Sequence, residues 1–458
     1  MSEKKYKLNT ATYIVIANMI GTGVFASLFF QIDSVPSGSA ILVLWLAGGL
    51  VALCGGLCYA ELSGLFPRSG GEYEYLTKIY HPALGFATGL CTLIVGFAAP
   101  VASSALNLGN YIAPILGIQP DTMQSKGVAI ISVLFITGVQ MLGVETSSKF
   151  QNGSTIFKIL LILVFIALPF LLPNVTPSSV SFAWTAETPR LITSGSFYAC
   201  LAFLYFSYVG WNASVYIASE VENPKRTLPL SILIGVVVVS VIYILLNFSF
   251  LYVCDFDEIR AGGSSVGNTV IAKLFGETRW AGLKITDIFS ALLSLALLAT
   301  LNAYMVIAPR VAEVFGKDYV LFDFFTRKSK NGSPYIAILT MGVMTCLFVL
   351  LSNLKDLLDY VGFSLSIFAS MAVLGIYIMR WRLPNAERPF KTWGYPVTPI
   401  LFVGTNLSVI YYSIQTLYGG NFIYGLDTNR HLIISPLSAS IFTILGSIGL
   451  YFILGKRK

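Results

Sequence analysis

Charge is what this chain has least of. Asp, Glu, Lys and Arg make up 11% of its 458 residues, whereas a soluble domain carries roughly 25%. That is too little charge to coat a water-facing surface, so the missing surface must face lipid. Histidine is scarcer still: His81 and His431 are the only two, both in loops between apolar runs. With so few, no HExxH pair forms and no nucleophile–base–acid set stands out, so hydrolytic chemistry is not expected. A GxxxxGK[ST] phosphate loop is absent too, which leaves no engine for ATP-driven pumping. Neither a repeated filter segment nor a ring of charge marks a channel. The six cysteines, Cys54, Cys58, Cys91, Cys200, Cys254 and Cys346, lie in or beside apolar stretches without metal-ligand spacing. They read as small core hydrophobes. No metal, no cofactor and no enzymatic activity are expected.

What the chain has instead is apolar length. Hydrophobic residues make up 55% and aromatics 14%, with a mean hydropathy of +0.76. A bilayer core needs roughly 20 apolar residues per helix. Runs of that kind fall at about 10–32, 40–66, 83–115, 127–143, 152–173, 191–218, 229–253, 283–310, 334–352, 357–380, 396–417 and 433–454. The expectation is an all-α integral membrane protein of about 12 transmembrane helices. Its principal surroundings are then the lipid bilayer. With Lys158 set aside, about 20 Lys and Arg fall on the side of the chain ends and about 8 on the other. The positive-inside rule therefore expects both termini in the cytoplasm of a multi-pass protein of the plasma (inner) membrane. The net charge of +7 is spread over these short loops, a distribution that argues against a nucleic-acid partner. No signal peptide is expected, because the first run lacks a small-residue cleavage site. Nor is a soluble domain.

Two runs are interrupted near their middles. The first carries Ile20-Gly21-Thr22-Gly23, and the sixth carries Ser207-Tyr208-Val209-Gly210-Trp211-Asn212. Each opens a five-helix unit, runs 1–5 and 6–10, and two odd-numbered units in series must lie in opposite orientation. Paired breaks at corresponding positions point to a binding site near the bilayer midplane. Unwound backbone at that depth is tolerated only inside protein or beside a cavity. There it offers N–H groups to an anion and carbonyls to a cation. A zwitterionic amino acid needs both. The competing reading of the glycines is a close helix contact.

Several segments together resemble the amino acid–polyamine–organocation (APC) superfamily of permeases. They are Asn18-Met19-Ile20-Gly21-Thr22-Gly23-Val24-Phe25, Pro67-Arg68-Ser69-Gly70-Gly71-Glu72-Tyr73, Phe206-Ser207-Tyr208-Val209-Gly210-Trp211-Asn212, Glu220-Val221-Glu222-Asn223-Pro224-Lys225-Arg226, and Arg388-Pro389-Phe390 before Gly394-Tyr395-Pro396. The resemblance spans nearly the whole chain. It implies a LeuT-type 5+5 inverted repeat (about 10–173 and 191–380) plus two extra helices (about 396–454) in one transporter domain. It also implies that the backbone N–H groups of Thr22 and Gly23 hold a substrate carboxylate. The carbonyls of Met19, Phe206 and Val209 would hold its amino group, with the Phe206 ring as a lid. Ser207, Gly210 and Asn212 complete the expected substrate site.

Lys158 stands several residues into the fifth run. A lysine at such a depth costs roughly 2.5–3.5 kcal/mol on insertion scales and usually faces a bundle interior; the alternative is snorkelling to the cytoplasmic interface. By resemblance to sodium-independent permeases, its ammonium would stand where a sodium ion would sit and act in coupling. Because burial disfavours a charged amine, the same lysine could also exchange a proton. Proton symport and sodium-free exchange both stay open. Glu61 is expected in a gate or loop-capping contact, the Pro67–Tyr75 loop in a charge network or in solvent, and Asn107, Asn110 and Asn302 mainly as interhelical glue. No acidic residue is near either break in sequence, so a neutral amino acid is the expected substrate. Carriage of cationic amino acids or polyamines, and a nutrient-sensing receptor on a transporter scaffold, are the alternatives.

Overall fold

The computed structural model describes residues 6–21, 23–173, 175–263, 265–280, 282–352, 354–418 and 436–454. In chain order its helices are α1 (Leu8–Met19), α2 (Gly23–Gln31), α3 (Gly38–Leu65), α4 (Glu72–Ile79), α5 (Pro82–Cys91) and α6 (Ala99–Ile112). Next come α7 (Met123–Met141), α8 (Val144–Leu171), α9 (Glu187–Ile192), α10 (Gly195–Tyr208), α11 (Pro224–Val253), α12 (Phe256–Gly262) and α13 (Val266–Phe275). After a two-residue hairpin, β1 (Arg279–Trp280) with β2 (Leu283–Lys284), follow α14 (Ile285–Asp318), α15 (Tyr335–Leu351), α16 (Leu354–Arg382), α17 (Val397–Tyr418) and α18 (Pro436–Leu454). Every one of the twelve apolar runs carries helix. Among the described residues, seven helical segments are long and apolar enough to cross a membrane by themselves, and shorter apolar or interrupted helices fill the other runs.

Local chemistry sets the helix ends. Ser37 caps α3 by accepting from the Ala40 N–H, and α3 stops at Leu65 because Phe66 precedes Pro67 and is pushed out of the helical region. Thr122 and Ser125 form a capping box at the start of α7, and Asp255 and Glu258 form another on α12. Proline at the first position of α11, after Asn223 in a left-handed conformation, starts that helix sharply.

Depth in the bundle follows from which faces are covered. The third span, Pro82–Leu116, is 83% buried over its apolar window and the α14 span 78%, whereas the α8 span is 28% buried. The third and α14 spans therefore form the centre and pack on each other, while α8 lies at the rim. Leu160, Val164 and Leu171 of α8, Leu134 and Phe135 of α7, and Leu347 of α15 are exposed and apolar. Such a surface suits lipid and would be a liability in water. The third span also departs from regular winding. Between α5 and α6, Thr92–Ala98 is π-helical, a form found mostly as single bulges at functional sites.

Candidate functional site

Both breaks are present. α1 stops at Met19, Ile20 and Gly21 leave the helical path, and α2 restarts at Gly23. α10 stops at Tyr208, Val209–Asn212 form a turn, and a 3-10 helix, Ala213–Glu220, continues the span. Restarting a helix at Gly23 leaves its first-turn N–H groups without intrahelical acceptors. Thr22 and the Phe206 side chain lie outside the described residues.

The two breaks lie against each other. A β-carbon on Gly23 would sit 2.7 Å from Ser207 Oγ and 2.9 Å from Ser207 Cα, and one on Gly210 would sit 2.8 Å from the Asn18 backbone carbon. Gly210 also has φ +103°, a backbone that side-chain-bearing residues rarely adopt. The close helix contact is thus real at Gly23 and Gly210. It is not at Gly21, whose nearest such neighbour is Thr300 Cγ2 at 4.0 Å. Gly21 serves the break itself.

Lys158 does not snorkel. It is 1% exposed, and its ammonium donates to the carbonyls of Ile20 (2.7 Å) and Ala17 (3.3 Å) and to Thr300 Oγ1 (2.5 Å). Thr300, on α14, in turn donates to Ile20 O at 3.0 Å. One ammonium therefore joins α8, the frayed end of α1 and α14, and it holds carbonyls that unwinding has stripped of helical partners.

On the other side of the breaks stands a residue the sequence did not single out. The Tyr243 hydroxyl of α11 lies 2.6 Å from Met19 O and 2.9 Å from Ser207 O, spanning both broken helices with one proton. Its ring packs edge-on against Trp45 and Tyr208. A hydroxyl in the middle of an apolar run was the available signal. Met19 and Ser207, both expected at the substrate, are thus also tied into the scaffold: Ser207 Oγ is 2.7 Å from Ser27 Oγ.

Asn212 lies beside the second break, with its amide committed to a carboxylate. The sequence showed no acid near either break, but folding brings one there from 140 residues away. Asn212 Nδ2 donates to Glu72 Oε1 at 2.6 Å, Tyr59 OH donates to the same oxygen at 2.8 Å, and the Tyr216 hydroxyl donates to Glu72 Oε2. Burial pushes the Glu72 carboxyl up from its ordinary range, and the hydrogen bonds from Tyr216, Tyr59 and Asn212 oppose that shift. Glu72, Asn212, Asn18, Val209 and Gly210 line a cavity of about 30 Å3 beside the second break. Gly96 and Phe97 of the π-helical segment, Tyr304 and Ile307 of α14, and Leu365 and Ala369 of α16 close it.

The outlying polar residues divide cleanly. Glu61 receives Arg380 (2.7 Å), Arg388 (3.2 Å) and the Thr392 N–H (2.7 Å), which is a loop-capping and helix-joining role. Arg68 pairs with Glu74 (2.9 Å) and Asp318 (2.7 Å), so the loop before α4 is a charge network. Asn302 sits in a buried chain between Gln140 and Gln151, and Asn110 binds Asp121. Both asparagines act as glue.

Two abutting breaks pinned by an intramembrane lysine suit a carrier, and likeness to known proteins points the same way. The family model described as amino acid permease matches residues 6–448. The chain belongs to the amino acid permease family. The permease is 29% identical over 415 residues to the b(0,+)-type amino acid transporter 1 of Mus musculus, covering 89% of this chain and 82% of that relative. It is 28% identical over 467 residues to the serine/threonine exchanger SteT of Bacillus subtilis (strain 168), covering 100% and 98%. It is 25% identical over 400 residues to the Asc-type amino acid transporter 1 of Mus musculus, covering 85% and 73%. These relatives are transporters, not enzymes. The permease is accordingly a multi-pass membrane protein of an amino acid transporter family, and its substrate is a small-molecule amino acid.

Proposed function

We propose that this permease is a sodium-independent secondary transporter that exchanges neutral amino acids by alternating access. The observation that carries the reading is the Lys158 ammonium on the Ile20 carbonyl at the first break. The Lys158 amine donates there to the backbone that a sodium ion would otherwise bind, so the break needs no metal cation. The N–H groups at Thr22 and Gly23 take the substrate carboxylate, and the carbonyls at Phe206 and Val209 take its amino group. Exchange is favoured over symport by likeness to a serine/threonine exchanger. Two inverted five-helix units rocking about the breaks, in a plasma membrane with both termini cytoplasmic, supply the alternating access.

The test is counterflow in proteoliposomes. Vesicles loaded with serine or threonine should accumulate labelled serine, threonine or another neutral amino acid without sodium, and empty vesicles should not. Accumulation in empty vesicles only under an inward proton gradient would make it a proton symporter instead. Substrate binding without movement in either format would make it a sensor. A strict need for sodium would remove the role given to Lys158.

A further inference from the structure

Two tryptophans stand clear of the protein where α16 ends and α17 begins. Trp381, in the last turn of α16, is 81% exposed, and Trp393, in the turn before α17, is 66% exposed. Leu374, Tyr377 and Trp381 follow one another at helical spacing and so share one face of α16. Leu374 is exposed and apolar on that face. The turn folds onto it. Tyr377 donates to Pro396 O at 2.6 Å, its ring lies 5.2 Å from that of Tyr395, and the Arg380 guanidinium sits 3.8 Å over the Tyr395 ring. Trp393 packs on Phe390, with ring centroids 5.7 Å apart. Beyond the turn, Val397, Ile400 and Leu401 of α17 carry on the exposed apolar surface.

Depth places this surface in the bilayer. Ala369 of α16 lines the cavity beside the second break, the level expected for the midplane. Trp381 lies twelve residues further on, about 18 Å along the helix. Half a bilayer comprises about 15 Å of hydrocarbon and reaches about 20–22 Å with its headgroups. Trp381 therefore falls in the headgroup layer, where tryptophan is enriched. Charge at this level is one-sided. Glu61 is taken by Arg380 and Arg388, and Glu387 faces Lys225 at 3.8 Å. Arg382 and Lys391 are exposed and pair with no carboxylate among the described residues. Arg382 donates to the Ile79 carbonyl at 2.7 Å, which leaves its charge unneutralised. A solvated basic rim accounts for the two charges. It does not account for two open indoles beside them.

We propose that the surface between the end of α16 and the 393–396 turn binds the headgroup of an anionic phospholipid. Its phosphate pairs with Arg382 and Lys391, the indoles of Trp381 and Trp393 flank the glycerol level, and an acyl chain runs along Ile400 and Leu401. Charge selects the ligand. A zwitterionic headgroup brings its own ammonium beside the phosphate, whereas phosphatidylglycerol brings net negative charge to two unpaired cations. The lipid also braces the segment that carries Arg388 and Thr392, which hold Glu61 of α3. This inference goes beyond the transport reading and does not depend on it.

Native mass spectrometry of the full chain tests this. The protein is released from micelles that contain equal amounts of phosphatidylglycerol and phosphatidylcholine with matched acyl chains. The wild type should retain phosphatidylglycerol in preference to phosphatidylcholine by about tenfold or more. Arg382→Gln combined with Lys391→Gln should lower that preference by about tenfold. Arg327→Gln combined with Lys330→Gln removes the same charge from another exposed loop and should leave the preference in place. Where loss of the Arg382 bond to Ile79 disturbs folding, Lys391→Gln alone should still lower the preference by about fivefold. A wild type that retains both lipids equally overturns the site. Equal losses from the two double variants also overturn it, because the attraction would then be diffuse surface charge. Displacement of the lipid by inorganic phosphate alone would make it a site for a free anion and overturn the lipid assignment.

Discussion

Lys158 and Tyr243 hold the unwound backbone from opposite sides, and their loss should be felt differently. Lys158→Ala strips donors from Ile20 O and Ala17 O and leaves Thr300 with one partner fewer. Ile20 O keeps Thr300, but Ala17 O is orphaned at a cost of about 1–3 kcal/mol, and the first break loses the amine that holds it. Initial exchange rates of this variant should fall by about tenfold or more, or change their dependence on pH. Rates unchanged from acid to alkaline pH would reduce the lysine to a filler. Tyr243→Phe is gentler, since it keeps the ring against Trp45 and Tyr208 and removes only the hydroxyl shared by Met19 O and Ser207 O. It should cost about 1 kcal/mol of stability and raise the KM for exchange several-fold. A KM equal to the wild type would show that the bridge does not set the site.

At the scale of the element, the two glycines of the first break have separate duties. Gly23→Ala drives a β-carbon to 2.9 Å from Ser207 Cα. A backbone atom cannot rotate away, so α2 must separate from α10. Exchange should be lost, and pairing the change with Ser207→Gly should restore it only in part, because the clash with the main chain at position 207 survives. Gly21→Ala meets nothing closer than 4.0 Å and should keep most of its exchange despite stiffening the turn. Transport assays of the three variants check the contrast; equal damage from both single changes would contradict it. The breaks were legible in the sequence because glycines in mid-run weaken a helix by roughly 1 kcal/mol each. The π-helical Thr92–Ala98 segment was not, since its residues carry no mark of a bulge and the packing of α14 and α16 around it decides the winding.

Across the whole molecule, the first helices are clamped to the later ones at the basic end. Glu61 of α3 is 1% exposed and carries Arg380 of α16 and Arg388 beyond it. Removing one partner of a buried ion pair costs about 3–5 kcal/mol because the other charge is stranded. Glu61→Gln should therefore lower the thermal midpoint in detergent well beyond the effect of Tyr243→Phe. An unchanged midpoint would mean that the guanidiniums find water instead.

Hydropathy and periodicity in one dimension determined that this chain spans a membrane, where its helices run and where two of them break. Those features depend on neighbours a few residues apart, as do the glycine motifs that carry the family resemblance. Tertiary structure alone decided what stands beside the breaks. Tyr243, Thr300 and above all Glu72 reach the site from distant segments, and Glu72 puts an acid beside the second break where the sequence has none nearby. A polar side chain in a loop motif reads as solvated until the fold buries it, because the energy of a charge depends on the dielectric and partners around it. Sequence spacing does not record either.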